Sequence, residues 1–146
     1  MIEGIEIKDL VAHQDERGFF CELIRSSDPF FKGQFGQLSH SLTKTGVFKA
    51  WHMHAKQTDW ICAIAGEIKL GLYDFRKESK TFGQLNEIIM GEERRMMVKI
   101  PPGIAHGYKI LEGPAHIIYV MNREYDPSDE IRIDHDDKRI SYDWTK

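Results

Sequence analysis

The chain has 146 residues, of which 41% are hydrophobic, and a formal net charge of -3. That length suits one domain with a real hydrophobic core, and the slight acidic balance gives no general affinity for nucleic acid or a membrane surface. No apolar stretch approaches the roughly 20 residues of a membrane helix, and the opening Met1-Ile-Glu-Gly-Ile-Glu-Ile-Lys lacks the basic and apolar regions of a signal peptide, so a cytoplasmic protein is expected.

In chain order, strands are predicted over Gly18–Arg25, Gln37–Thr43, Val47–His54 and Asp59–Ala65. The segment Glu67-Ile-Lys-Leu-Gly-Leu-Tyr then alternates strictly, with Ile68, Leu70 and Leu72 on one face. Met96–Ile100 and His116–Met121 follow as strands. Asp15-Glu-Arg-Gly, Thr45-Gly, Ala65-Gly-Glu, Pro101-Pro-Gly and Glu112-Gly-Pro read as the turns between them. Helix is expected only as a turn near Ser27–Lys32 and in the acidic tail. That tail, Arg123–Lys146, suits a solvated loop, and its aromatic end at Ile140-Ser-Tyr-Asp-Trp is expected to fold back onto the body. Cys21 and Cys62 sit among apolar residues and are read as free, buried thiols. Short strands without intervening helices predict an all-β fold, a jelly-roll barrel or double-stranded β-helix, as one domain over residues 1–146.

Chemistry concentrates in two segments. Residues two apart on a strand share a face, so His52 and His54 point the same way, and the turn Pro101-Pro-Gly103 leads to a third imidazole, His106. Gly46, five residues, His52, one residue, His54, four residues, Asp59, six residues, Gly66 follows the spacing of the first metal motif of cupins, with Asp in the usual Glu place. Pro101-x-Gly103-x-x-His106 follows the core of the second. A metal-dependent cupin would therefore use His52, His54, Asp59 and His106.

A further resemblance spans nearly the whole chain. Asp15-Glu-Arg-Gly-Phe-Phe-Cys-Glu22, Gln37-Leu-Ser-His-Ser41, Val47-Phe-Lys-Ala-Trp-His52, Tyr73 to Gly83, Ile100 to Tyr108, and the late Tyr119 and Tyr125-Asp-Pro127 arrive in the order of the motifs of the dTDP-4-dehydrorhamnose 3,5-epimerase family. Six collinear motifs identify the chain as resembling that family of cupin-fold enzymes, which work without metal. The resemblance implies a metal-free, cofactor-free homodimer that takes a proton from a nucleoside-diphosphate 4-keto-6-deoxy sugar and returns one beside the ketone. It assigns His52 as base and Tyr119 as the proton donor on the opposite face. It places Arg17, Glu22, Gln37, Ser39, Lys49, His54, Trp60 and His106 against nucleotide or sugar, with Arg17 reaching the neighbouring subunit's pocket.

The departures are specific. Lys49 stands in place of an arginine, and Trp60 is read in the place of a lysine suited to an enolate oxygen. The aspartate that supports the base lies, in the family, beyond the final I-x-W segment, where this chain stops. Either Asp59 or a carboxylate of the Asp134–Asp137 tail serves His52 instead, or the reaction differs. His54 replaces a glutamine and, with Lys56, is similar to the sugar-nucleotide 3,4-ketoisomerases. A ketoisomerase, a metal-dependent cupin enzyme and a non-catalytic sugar-nucleotide-binding cupin are the alternative readings.

Overall fold

The computed structural model describes every residue from Met1 to Lys146. Ten strands follow one another: β1 (Glu6–Asp9), β2 (Ala12–Asp15), β3 (Gly18–Cys21), β4 (Gln37–Thr43), β5 (Phe48–His54), β6 (Asp59–Asp74), β7 (Leu85–Gly91), β8 (Met96–Ile100), β9 (Ile104–Met121) and β10 (Glu130–Arg132). β6 and β9 are antiparallel partners from Asp59↔Met121 to Asp74↔Ile104. The first half of β6 is flanked by β8 and then β1, and its second half by β7. On the other side, β4 pairs with the second half of β9, while β5 and then β10 extend from its first half.

The β6–β9 ladder is interrupted by register shifts between Ala63 and Ile68, which divide it into two halves. Gly66 lies at this break with φ +76°, and a Cβ there would come within 2.4 Å of the Glu112 carbonyl oxygen, so only glycine fits. Residues from both halves meet in one core. Ile61, Ala63, Val98, Ile100 and Ile117 come from one, and Ile68, Leu70, Leu72, Ile88, Met90 and Ile110 from the other. The result is the two-layered jelly roll of a cupin.

Several local expectations change. The Ala65-Gly-Glu and Glu112-Gly-Pro segments are irregularities within the continuous strands β6 and β9, because both chains stay paired through them. β7 was not expected. Its Asn86-Glu87 start and Ile88-Ile89-Met90 run hide the alternation that buries Ile88 and Met90 and exposes Ile89. The strand beginning at Gly18 ends at Cys21, and Ser27–Lys32 forms turns without helix. The tail contains a single 3-10 turn, Pro127–Asp129. Cys21 and Cys62 are free, as expected, although only Cys62 is buried. No helix is long and apolar enough to cross a membrane.

The motif from Tyr73 to Gly83 serves the fold. Buried Asp74 accepts hydrogen bonds from Arg76 Nε (2.8 Å), Ser79 Oγ (2.7 Å) and Thr81 Oγ1 (2.6 Å), and Arg76 also donates to the Glu3 carbonyl. This ties the amino-terminal segment to the end of β6.

The tail folds back as expected, with its aromatic end forming a second core. Trp144 and Ile140 are buried with Trp51 and Ala105 on the outer face of β5, β6 and β9. Trp144 lies 4.8 Å from Trp51 between ring centroids, and Gly71 provides room for it, since a Cβ there would meet the indole at 2.8 Å. Upstream, Ile133 exchanges two 3.0 Å backbone hydrogen bonds with Trp51. Trp144→Ala should destabilise the protein by about 3–5 kcal/mol, the usual loss for a buried tryptophan. Denaturant unfolding checks this, and an unchanged midpoint would show that the tail is not part of the cooperative unit.

Candidate active site

His52 and His54 project from the end of β5 on the same side, as strand geometry requires, with ring centroids 5.9 Å apart. β9 pairs His106 directly with His52, bringing their rings to 4.3 Å. Asp59 enters from β6, with Oδ2 3.3 Å from His106 Nε2 and 3.8 Å from His54 Nε2. Its Oδ1 accepts a 2.7 Å hydrogen bond from Gln57 Nε2. His54, His106 and Asp59 are buried, whereas the His52 side chain is 37% exposed.

A second carboxylate organises the loop behind the histidines. Asp129, at the end of the 3-10 turn, accepts backbone hydrogen bonds from Ala55 (3.1 Å), Lys56 (2.9 Å) and Gln57 (3.0 Å). Its Oδ2 lies 3.6 Å from His54 Nδ1. The next residue, Glu130, places Oε1 3.7 Å from His52 Nδ1 and Oε2 3.1 Å from the Tyr125 hydroxyl, which donates to it. The carboxylate nearest His52 is thus Glu130, on a strand the sequence reading left as loop.

His52 opens onto a cavity of about 620 Å³. Its wall comprises Ser41 of β4, Lys49, Ala50 and Trp51 of β5, Tyr108 and Tyr119 of β9, and Glu130 to His135 apart from Ile131. Tyr119 donates to the Tyr108 hydroxyl at 3.2 Å and sits 3.1 Å from Ser41 Oγ. Burial, reinforced by Tyr108, pushes the Tyr119 phenol far above its ordinary pKa, so it keeps its proton. Burial, followed by the neighbouring His106, lowers the His52 pKa to about 3. Burial also works against the charge on Asp59, but contacts with His106 and Gln57 outweigh it and hold the carboxyl below its usual range.

Of the residues predicted from sequence, His52, His54, His106, Tyr119 and Lys49 gather at or behind this cavity, with Asp59 among them. Gln37 and Ser39 share the inward face of β4 with Ser41 but stop short of the cavity. Gln37 donates to Ser39 Oγ at 3.0 Å and accepts from the Tyr125 amide at 2.8 Å. Arg17 and Glu22 lie elsewhere in the chain. Arg17, 83% exposed at the β2–β3 turn, holds Asp15 at 2.6 Å, and Glu22 holds Arg25.

Trp60 requires correction. Its indole is 0% exposed, packs edge-on against Phe31 and donates to the Phe30 carbonyl at 3.1 Å, so it cannot touch a substrate. The period of two along β6 puts Asp59 and Ile61 inside and Trp60 and Cys62 on the opposite face. A group reaching the cavity from this strand end must occupy position 59, so the Trp60 reading was one residue out of register. Sequence reasoning also missed Glu130 and Arg132. The available signal was the alternation Glu130-Ile131-Arg132-Ile133, which places both charged residues on one side of a strand.

A jelly roll with a neutral imidazole and a protonated phenol in one cavity defines a cupin built for proton transfer. Comparison with known proteins narrows this class. The sequence profile of the dTDP-4-dehydrorhamnose 3,5-epimerase family matches residues 1–146. The spore coat polysaccharide biosynthesis protein SpsL of Bacillus subtilis is 44% identical over 99% of this chain and 97% of its own length. A dTDP sugar isomerase from Desulfovibrio desulfuricans superposes with a TM-score of 0.92 at 26% identity, covering 98% of this chain and 92% of that one. An epimerase from Legionella pneumophila, solved with dTDP-4-keto-L-rhamnose, gives 0.85 at 29% identity, covering 98% and 79% respectively. The chain belongs to the dTDP-4-dehydrorhamnose 3,5-epimerase family, an isomerase family of sugar-nucleotide epimerases.

The His52 environment has a measurable consequence. Its pKa of about 3 keeps the ring neutral far below the ordinary 6.5. The unfolded chain takes up this proton near pH 6.5 and the folded chain does not, so this group makes stability decline as pH falls below that point. Histidine-ring NMR between pH 4 and 8 should show His52 neutral throughout, and a midpoint near 6.5 would refute the environment described.

Proposed function

We propose that the protein epimerises a nucleoside-diphosphate 4-keto-6-deoxy sugar, with residues 1–146 acting as one cytoplasmic domain in deoxysugar and polysaccharide biosynthesis. The observation that carries this reading is the pairing of neutral His52 with protonated Tyr119 in one cavity. Protons on the carbons flanking the C4 ketone are acidic because their removal gives an enolate. His52 takes such a proton, and Tyr119 returns one from the other side of the ring. An imidazole with a depressed pKa is a weak base in the free enzyme. Glu130, 3.7 Å from Nδ1, offsets this by stabilising the imidazolium as it forms and by fixing the ring. Lys49 and Arg132 line the cavity and supply positive charge for the enolate oxygen and the diphosphate. The scheme uses only the chain's own residues.

Solvent deuterium entering the sugar ring measures proton removal directly, with dTDP-, CDP-, GDP- and UDP-linked 4-keto sugars as the panel. His52→Asn should lower wash-in by ~10²–10⁴-fold, the usual effect of losing a general base, with nucleotide binding retained. Glu130→Gln should lower it less and move its pH dependence, while Glu130→Asp should recover part of the rate. Wild-type exchange in the His52 variant would overturn the assignment.

The working unit we infer is a homodimer. The β2–β3 hairpin stands apart from the main sheet and exposes Val11, Phe19 and Phe20, and the outer face of β4 exposes Leu38 and Leu42. A second copy would cover these apolar residues and bring Arg17, idle in its own chain, to a neighbouring cavity as a forked donor to phosphate. Mixing inactive Arg17→Ala and His52→Asn chains should restore activity, because one pocket of the mixed dimer then has both residues. No recovery on mixing, with dimers present by light scattering, would place Arg17 outside the partner's pocket.

A further inference from the structure

Ring nitrogens and a carboxylate converge in the histidine cluster. The Ile104 carbonyl, 3.1 Å from His106 Nδ1, can only accept, so Nδ1 carries a proton. His106 Nε2 faces Asp59 Oδ2 at 3.3 Å, and this buried nitrogen has no hydrogen-bond partner. The Gln57 amide nitrogen, which donates to Asp59 Oδ1, also reaches His54 Nε2 at 3.4 Å. His54 Nε2 also lies 3.8 Å from the same Asp59 oxygen. One nitrogen from each of His52, His54 and His106 lies within 4.8 Å of the others. A single proton can bridge one pair of these atoms. A cation can bridge them all, and the negative charge of Asp59, buried where screening is slight, favours it.

We propose that His52, His54, His106 and Asp59 bind a divalent transition-metal ion of the zinc or cobalt class, and that the bound ion inhibits epimerisation by occupying the lone pair of His52. Three imidazoles and one carboxylate form a donor set suited to such ions. The rings need only close from their present separations to the roughly 2.0–2.1 Å metal–nitrogen distances of zinc. The inhibitory half rests on His52 as the base, whereas the binding half does not. The other close histidine pair, His40 and His116, stacks on the surface at 3.0 Å with no carboxylate in contact, and is the natural competitor for added metal.

The test uses full-length protein made without a polyhistidine tag and stripped with chelator. Co²⁺ titration followed by visible absorption, and Zn²⁺ titration followed by calorimetry, should show one ion per chain. His54→Gln and His52→Ala should each weaken binding by more than the roughly 10–100-fold lost with an outer metal partner, whereas His40→Ala should leave it unchanged. Deuterium wash-in should fall in step with Zn²⁺ occupancy and return on chelation. Absence of a stoichiometric site, or unweakened binding in both His54→Gln and His52→Ala, would overturn the metal site. Full wash-in at full occupancy would overturn the inhibition and the base assignment together, leaving the site intact. Absence of exchange in the stripped enzyme with every sugar tested would overturn the epimerase reading alone, since the Co²⁺ spectrum is read without substrate.

Discussion

The antiparallel ladder between β6 and β9 is the constraint on which the remaining structure depends. It runs from Asp59↔Met121 to Asp74↔Ile104, and six of the other eight strands pair with it or extend a strand that does, while β2 and β3 stand as a separate hairpin. One fact about it decides where chemistry can occur. The ladder bends at Gly66, so its two ends turn their inner faces toward a shared interior, and Asp59, Tyr119 and His106 come from different parts of it. A straight ladder would leave Asp59 and His106 far apart along its length. The bend requires a glycine because Glu112 occupies the space of any side chain.

Polar burial follows from this closure. Drawing His54, His106, Asp59 and Asp129 out of water is costly unless each finds partners. Asp129 is fully served, with three backbone amides ordering the turn after β5. Asp59 is not, because Gln57 satisfies one oxygen and the other faces ring nitrogens. The two aspartates therefore have different characters. One is a structural clamp, and the other retains unspent electrostatic potential beside the reacting imidazole. Such incomplete satisfaction is more readily retained at a working site than in a core, where a packed apolar residue would be more stable.

The legible parts of the sequence were those where local pattern and tertiary pairing coincide. Glu67 to Tyr73 alternates because one face meets the core, and the shared side of His52 and His54 follows from strand geometry alone. The motifs also marked His52, Tyr119 and His106, which the fold brings to one region. Trp60 was misplaced because choosing between adjacent residues requires strand register, and a slip of one residue moves a side chain to the opposite face. Glu130 was hidden for another reason. β10 has only three residues and exists because it pairs with β5, so its propensity is slight, and the surrounding acidic residues resemble a solvated loop. The motif from Tyr73 to Gly83 was readable as a family mark, yet its physical role as a clasp on the amino-terminal segment emerged only from the partners of Asp74.

The tail links fold stability to the chemistry. Its far end is held by Trp144 and Ile140 against Trp51, while its near end supplies Glu130, Arg132 and Ile133 to the cavity wall. Trp51 belongs to both arrangements, since its ring packs beneath Trp144 and its backbone exchanges hydrogen bonds with Ile133. It immediately precedes His52. A shift in the aromatic core would therefore move His52 and Glu130 through the same pair of strands. A carboxylate reaches His52 from β10, before the tail turns back. With Glu130 on a strand hydrogen-bonded to β5, its distance to His52 is fixed by sheet register rather than by the position of a free terminus.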